Sequence, residues 1–262
     1  PDLRENAGAI TATRTELAKQ MYHSLHTKLM TLPDDVEVYP AHGAGSLCGK
    51  GLSEKNRSTI GAEKISNWSL QDLSQSEFIS ELLADQPFIP KYFGYDVMLN
   101  KKGANDFQKS IDNVEKREPT TCKKCAASLN EDLVVIDTRP QDQFKKSHLK
   151  NSINLMDDKK FETWLGSIID PGEKFYLAAQ SEEKLNELIS RIAKIGYEDM
   201  IELAFVVEFG HEQMNTFSGE ELKKDTDSFT IVDIRNHSEV KGEKIFRNSI
   251  HIPLYELREQ DH

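Results

Sequence analysis

The chain has 262 residues, of which 37% are hydrophobic and 29% are charged, a composition typical of about two globular domains or slightly more. Its formal net charge of -11 argues against nucleic acid and anionic membranes as the main partners. No apolar run approaches the roughly 18 residues that a membrane helix needs. Three cysteines, an odd and low number, indicate free thiols in a reducing compartment, so we expect a cytoplasmic protein.

The first hundred residues predict a capped helix, a short strand and a glycine loop. Thr13 and Glu16 are spaced as a capping box, and an apolar stripe at four-residue spacing follows them up to a proline. Residues 36–39 then alternate as a short strand. The next residues, 41–49, contain three glycines and carry His42 and Cys48. Residues 53–100 indicate irregular and helical structure.

A polar stretch follows, and we interpret residues 101–126 as a linker, or as a helix flanked by linker. It contains Cys122 and Cys125, spaced as a CxxC pair. Such a pair is half of a zinc site, and the chain has no second cysteine pair to complete one. A redox or sulfur-relay pair and an ordinary linker segment are the other interpretations.

Residues 127–212 predict an α/β module. The continuous apolar run 133–136 is typical of a strand buried on both faces of a parallel sheet. Ser181 is placed to cap a helix with an apolar face that ends at Gly196. A further apolar run at 200–207 completes a strand–helix–strand unit.

An internal repeat relates this module to the end of the chain. Asp137 and Arg139 follow the first apolar strand, and Asp233 and Arg235 follow a second one at 231–232. An Asn-Ser-Ile step comes 14 residues after the first aspartate and 15 after the second. Two matches offset by 96 or 97 residues indicate a duplicated module. We call 127–212 the first copy and 222–262 the second copy.

Three blocks of this sequence together resemble a known family. Residues 32–46, which include His42, resemble the last metal-site segment of the glyoxalase II and persulfide dioxygenase branch of the metallo-β-lactamase fold. The opening Pro1-Asp2-Leu3 resembles the stretch after the metal-site aspartate strand of that branch. The Asp-x-Arg modules resemble rhodanese domains, and the whole is similar to bacterial persulfide dioxygenase–sulfurtransferases.

The resemblance implies an α/β fold: the C-terminal portion of a metallo-β-lactamase αββα domain, then rhodanese-like domains with a parallel sheet. The metallo-β-lactamase portion would occupy residues 1–100. Residues 101–126 would link it to the first copy, 127–212, which would be a rhodanese-like domain. The second copy, 222–262, would be the start of another rhodanese-like domain, truncated in this chain. The resemblance also allows a homo-oligomer.

The resemblance further implies a non-haem Fe(II) enzyme that oxidises low-molecular-weight thiol persulfides to sulfite, with zinc as the alternative metal. The HxHxDH motif of the family, its later metal histidine and its bridging aspartate are absent here. We therefore expect no stoichiometric iron or zinc on this chain. His42 would lie in the metal pocket, and would be a ligand only in a dinuclear site. Cys48 is a candidate thiol for the persulfide sulfur, or else a small buried residue.

A rhodanese works through a cysteine at the start of a helix, where backbone N–H groups stabilise the thiolate. Counting back from Gly196 places this nucleophile at Ala179, which has no sulfur. We expect the first copy to be non-catalytic. We also expect its Asp137–Arg139 pair, and the Asp233–Arg235 pair of the second copy, to be structural. The alternative functions are a sulfur-carrier or docking module without catalysis, and a thioester hydrolase of the glyoxalase II type.

Overall fold

A computed structural model of the protein describes residues 3, 12–40, 55–84, 88–120, 129–207, 210–240 and 244–259. The chain divides into two compact units, Pro1–Ile89 and Pro90–His262. Within the described ranges, no helix combines the length and the apolar content that crossing a membrane requires. The fold is α/β and its largest sheet is entirely parallel, as the sequence predicts.

The first unit is a small helical body with a two-stranded antiparallel ribbon. The predicted capping box is present, because the Thr13 side chain accepts from the Glu16 backbone N–H and the Glu16 carboxylate accepts from the Thr13 N–H. Phe78 is fully buried and packs against the rings of Tyr22 and Trp68. The elements of the first unit are α1 (Arg14–Ser24), β1 (Glu37–Val38), β2 (Ser58–Thr59), α2 (Ile60–Ser66) and α3 (Gln75–Leu83).

The second unit is built on a five-stranded parallel sheet with the strand order β3-β7-β6-β4-β5. Every residue of β4 and β6 is buried, as predicted for strands that are covered on both faces. The sheet strands are β3 (Lys116–Thr120), β4 (Val134–Asp137), β5 (Ser152–Asn154), β6 (Phe175–Ala179) and β7 (Ile201–Val207).

Four helices of the second unit contribute residues to one apolar cluster with the parallel sheet: Tyr92–Lys102, Phe107–Asp112, Phe161–Ile168 and Glu182–Ile192. Ser181 caps α8, where its side chain accepts from the backbone N–H of Lys184, and Gly196 ends the helical region in the left-handed conformation at φ 67°. The described helices are α4 (Tyr92–Lys102), α5 (Phe107–Asp112), α6 (Gln141–Lys146), α7 (Phe161–Ile168), α8 (Glu182–Ile192), α9 (Gly219–Lys224) and α10 (His237–Val240).

The structure differs from the expectation that residues 1–100 form one domain and 101–126 a linker. Helix α4 lies in the second unit, where Tyr92 and Tyr95 pack against the core of the parallel sheet. Helix α5 follows, and β3 pairs with β7 at the edge of the sheet. The described part of the expected linker is therefore largely a helix and an edge strand of the α/β unit.

The second copy forms a smaller parallel pair, β8 (Val232–Asp233) and β9 (Ile250–His251). A 3-10 helix, Leu254–Glu259, follows β9. From this helix, Arg258 donates to the carbonyl of Ile168 at 2.7 Å and pairs with Glu173. The two copies therefore contact each other within the second unit.

Candidate functional site

Asp137 and Arg139 form a buried ion pair at the carboxyl end of β4. The Arg139 guanidinium donates from Nη2 to Oδ2 of Asp137 at 2.7 Å and from Nε to Oδ1 at 3.0 Å. The side chains are 1% and 3% exposed. A further bond from Nη2 reaches the carbonyl of Ser147 at 2.8 Å, after helix α6. The pair therefore fastens the end of the strand to the end of the next helix.

Ala179, the position predicted for the sulfur nucleophile, is the last residue of β6 and is fully buried. It lies near the buried ion pair, since Asp137 stands opposite Ala178 across the sheet. Only two residues separate it from α8, whose first turn carries Glu182 and Glu183. Two carboxylates at a helix N-terminus oppose the binding of an anionic persulfide there.

A network of ion pairs fastens the segment after β5 to helix α8. Asp157 is paired with both Lys184 and Arg191, and Arg191 also donates to Glu162 at 2.7 Å. Hydrogen bonds to Asp157 and Glu187 raise the pKa of Lys184, and the bond from Arg191 lowers the pKa of Glu162. Sequence analysis missed this network, because its members come from three separate elements.

Asp233 and Arg235 repeat the ion pair in the second copy with more exposure. Arg235 donates from Nη2 to Oδ2 of Asp233 at 2.6 Å and from Nε to Oδ1 at 2.9 Å. The aspartate side chain is 8% exposed and that of the arginine 30%. The hydrogen bond from Arg235 lowers the pKa of Asp233 to about 2.

A second shared feature holds the loop after each Asp-x-Arg strand. In the first copy the Asn154 amide donates to the carbonyls of Asp137 and Arg139 at 3.0 and 2.9 Å. In the second copy, Nε2 of His251 lies 2.7 Å from the carbonyl of Arg235. The two side chains occupy matching places in the repeat, and alignment of the two copies could have found them.

The remaining predicted site residues, His42, Cys48, Cys122 and Cys125, lie outside the described residues. Within the described ranges, no group of three or more His, Cys, Asp and Glu side chains is arranged to hold a metal ion. A polar cleft of about 280 Å³ lies at the opposite, amino-terminal end of β7, lined by residues that include Glu115, Lys174 and Glu198.

Comparison with known proteins found one matching family model and a similar solved structure. The family model of the rhodanese-like domain matches residues 121–204. The crystal structure of a metallo-beta-lactamase from Staphylococcus aureus subsp. aureus COL is similar, with 29% identity and a TM-score of 0.58. The similarity covers 78% of this chain but 55% of that one, so the chain spans about half the length of its structural relative. Among curated proteins, none matches the chain.

These similarities support a chain that fuses a rhodanese-like domain to a portion of the metallo-β-lactamase fold. Both folds occur in enzyme superfamilies. The coarse functional class is therefore sulfur metabolism or hydrolase-fold chemistry.

Proposed function

We propose that this chain is part of a persulfide dioxygenase–sulfurtransferase. The intact protein would oxidise a low-molecular-weight thiol persulfide with O₂ and water, releasing sulfite and the free thiol, and would transfer sulfane sulfur through a rhodanese-like module. Fe(II) would serve the oxidation, with zinc as the alternative metal. The low, odd number of cysteines fits a cytoplasmic setting.

The observation that carries the proposal is the presence on one chain of two folds. Residues 121–204 match a rhodanese-like domain, whose chemistry is sulfur transfer, and 78% of the chain is similar to part of a metallo-beta-lactamase structure. Because a rhodanese-like domain transfers sulfur, its presence on the chain favours a persulfide over the other substrates of metallo-β-lactamase-fold proteins. This step is an analogy between folds, so it requires a direct test.

The first copy would take no chemical part in this reaction. Ala179 offers no sulfur, and its position is fully buried. Because the first copy lacks a nucleophile, we propose that the second copy belongs to the module that carries sulfur in the intact protein.

Cys48 and His42 would serve the oxidation step. Both belong to the sequence segment 41–49, whose three glycines predict a loop, and glycine lets the backbone approach a ligand closely. We propose that the Cys48 thiol contacts the persulfide sulfur and that His42 lies in the metal pocket. Lys50 carries a positive charge two residues from Cys48, which would favour its thiolate.

The test is O₂ uptake by the full-length protein with glutathione persulfide as substrate, with sulfite and iron measured in the same samples. We expect persulfide-dependent uptake and bound iron in the intact protein. Cys48→Ser should lower the rate or change the ratio of sulfite to thiosulfate. Absence of uptake from an iron-loaded protein would exclude the proposal, and an unchanged Cys48→Ser enzyme would exclude the role of this thiol.

A docking module without catalysis is the second candidate, and the alanine at position 179 favours it for the first copy. The two candidates differ in iron content, because a docking protein needs none. The third candidate, a thioester hydrolase, would release glutathione from S-lactoylglutathione without consuming O₂.

A further inference from the structure

The second copy has its own sheet and lies outside the apolar core of the first copy. Strands β8 and β9 pair with each other, apart from the five-stranded sheet that contains the first copy. Among the described residues, neither of the two apolar clusters around the parallel sheet contains a residue after Val207. The 3-10 helix Leu254–Glu259, which contacts the first copy, has no buried residue. The attachment of the second copy therefore depends on polar contacts.

Arg258 of this 3-10 helix is bound by the end of α7 and by the turn that follows it. Its Nη1 donates to the carbonyl of Ile168, the last residue of α7, and its Nη2 donates to Oε1 of Glu173, both at 2.7 Å. A cation is favourable there because the carbonyls at the end of a helix carry partial negative charge. The Glu173 carboxylate also accepts from the backbone N–H of Asp170 at 3.0 Å, which fixes its position. The first copy therefore presents a fixed set of acceptors to a guanidinium.

Lys91 adds a second group of charges to the same interface. Its ammonium lies 3.1 Å from Oδ1 of Asp170 in the first copy and 2.9 Å from Oε1 of Glu259 in the second copy. Lys91 immediately precedes α4, whose Tyr92 and Tyr95 pack against the core of the parallel sheet. One lysine on a fixed helix therefore joins a carboxylate of each copy.

The repeat shows that the position of Arg258 serves another purpose in the first copy. From the Asn-Ser-Ile step onward the copies are offset by 97 residues, which makes Phe161 the equivalent of Arg258. Phe161 is fully buried in the core of the first copy. The second copy therefore has a charged residue that contacts the other copy where the first copy has a core residue.

The segment between the copies is fastened to the first copy as far as Met214. Glu212 exchanges both backbone hydrogen bonds with His148, and the Met214 N–H donates to the carbonyl of Lys145 at 2.9 Å. Residues 215–218 then follow without regular structure, and they are exposed. An exposed connection and a polar interface together permit two modules of one chain to move relative to each other.

We propose that the first copy is a docking platform for the second copy, and that ion pairs hold the second copy there reversibly. The docking cluster consists of Lys91, Asp170, Glu173, Arg258 and Glu259. The side chains of Arg258 and Glu173 are 37% and 27% exposed, so dissolved ions reach them. Screening of these charges should release the second copy, which then moves about residues 215–218. The inference goes beyond the proposed function, because such a platform would serve sulfur transfer and non-catalytic docking alike.

The test is nuclear magnetic resonance relaxation of the backbone amides of this chain over a series of salt concentrations. At low salt the two copies should share one rotational correlation time. Near about 1 M salt, where the Debye length is about 3 Å, the second copy should have a shorter correlation time than the first. This measurement uses the unmodified chain, so its outcome does not depend on the folding of a variant.

Substitutions in the docking cluster should reproduce the effect of salt at low ionic strength. Arg258→Gln should raise the ratio of released to docked second copy by about tenfold, because it removes charged hydrogen bonds to two acceptors. Lys91→Gln should raise this ratio by about twofold to fivefold, as for a partly exposed ion pair. Lys150→Gln is the matched control, because Lys150 pairs with Glu131 within the first copy, and it should leave the ratio unchanged.

Charge reversal tests the contact between Arg258 and Glu173 directly. Arg258→Glu should release the second copy at low salt, and the further substitution Glu173→Arg should restore a single correlation time. A single correlation time at every salt concentration, or in Arg258→Glu at low salt, would overturn the inference. Separate correlation times in the unmodified chain at low salt would overturn it as well. None of these measurements uses O₂ uptake or sulfur transfer, so a failure of the proposed function would be seen separately.

Discussion

The two copies share one motif and differ in the packing that surrounds it. In the first copy Ile136, in the strand before the Asp-x-Arg turn, is fully buried, because β4 lies between β5 and β6. Its equivalent in the second copy, Val232, is 38% exposed, and β8 pairs with β9 alone among the described residues. The local sequence therefore specifies the ion pair, and the neighbouring strands determine how deeply it is buried.

The comparison also separates the motif from catalysis. The first copy keeps a completely buried Asp137–Arg139 pair and yet has alanine at the nucleophile position. Because the pair is present without the nucleophile, its role is to connect the end of β4 to the end of helix α6. Among the described residues, the copies also differ at His237 and His251, where the first copy has Gln141 and Asn154.

The largest expected difference is in sulfurtransferase activity, between this chain, even with a cysteine at the nucleophile position, and the full-length protein. Ala179→Cys should give no measurable thiocyanate from thiosulfate and cyanide, because the new thiol would be fully buried and the first turn of α8 is acidic. The unmodified chain should also form no thiocyanate, whereas the full-length protein should form it at a clearly measurable rate. The thiol of Ala179→Cys should react slowly with a water-soluble disulfide reagent. Rapid turnover by Ala179→Cys would show that the first copy lost only its sulfur.

The ion pairs should differ in their contribution to stability. Arg139→Ala leaves the buried Asp137 carboxylate without its partner, and we expect a loss of about 3–5 kcal/mol in the free energy of unfolding of the second unit. Arg235→Ala should cost clearly less, because its pair is partly exposed. Amide hydrogen exchange of β4 and β8 measures the two changes separately. Equal losses would contradict the role of burial.

The packing of helix α4 against α7 should contribute less to the free energy of unfolding than the Asp137–Arg139 pair does. A Cβ added at Gly166 would lie 2.2 Å from Cδ1 of Tyr92, so Gly166→Ala must displace α4 from α7. We expect a loss of about 1–3 kcal/mol, as for overpacking of a core. Gly94→Ala is the control, because nothing lies within 4 Å of its new methyl group, and it should stabilise α4 by up to about 1 kcal/mol. Chemical denaturation compares the two variants.

The sequence predicted the elements whose signals are local. Thr13 and Ser181 cap helices as expected, and the apolar run at 133–136 is a strand buried on both faces. These signals depend on neighbours within a few residues, so they can be recognised without the tertiary structure. The repeat of Asp-x-Arg and Asn-Ser-Ile is equally local, and both Asp-x-Arg pairs lie at strand ends.

The start of the α/β unit was not predictable in the same way. Strand β3 contains two basic residues and Pro119, a composition typical of a linker but also tolerated in an edge strand. The packing of α4 depends on Gly166 and Gly196, which lie far from it in sequence. Likewise, the network around Asp157 joins side chains that are about 30 residues apart, a spacing without a sequence signature.

The smallest expected effect is the acid response of the second copy. Asp233 has a pKa of about 2 in the folded chain, because the hydrogen bond from Arg235 favours its charged form, and an ordinary aspartate has a pKa near 4. The folded state therefore gains stability from Asp233 above about pH 4, and this gain disappears as the pH falls toward 2. We expect the amide of Ile250, which donates to the carbonyl of Ile231, to lose exchange protection across that interval. Asp233→Asn should remove this pH dependence. An identical acid response in Asp233→Asn would assign the change to other carboxylates and would leave the two copies alike in acid.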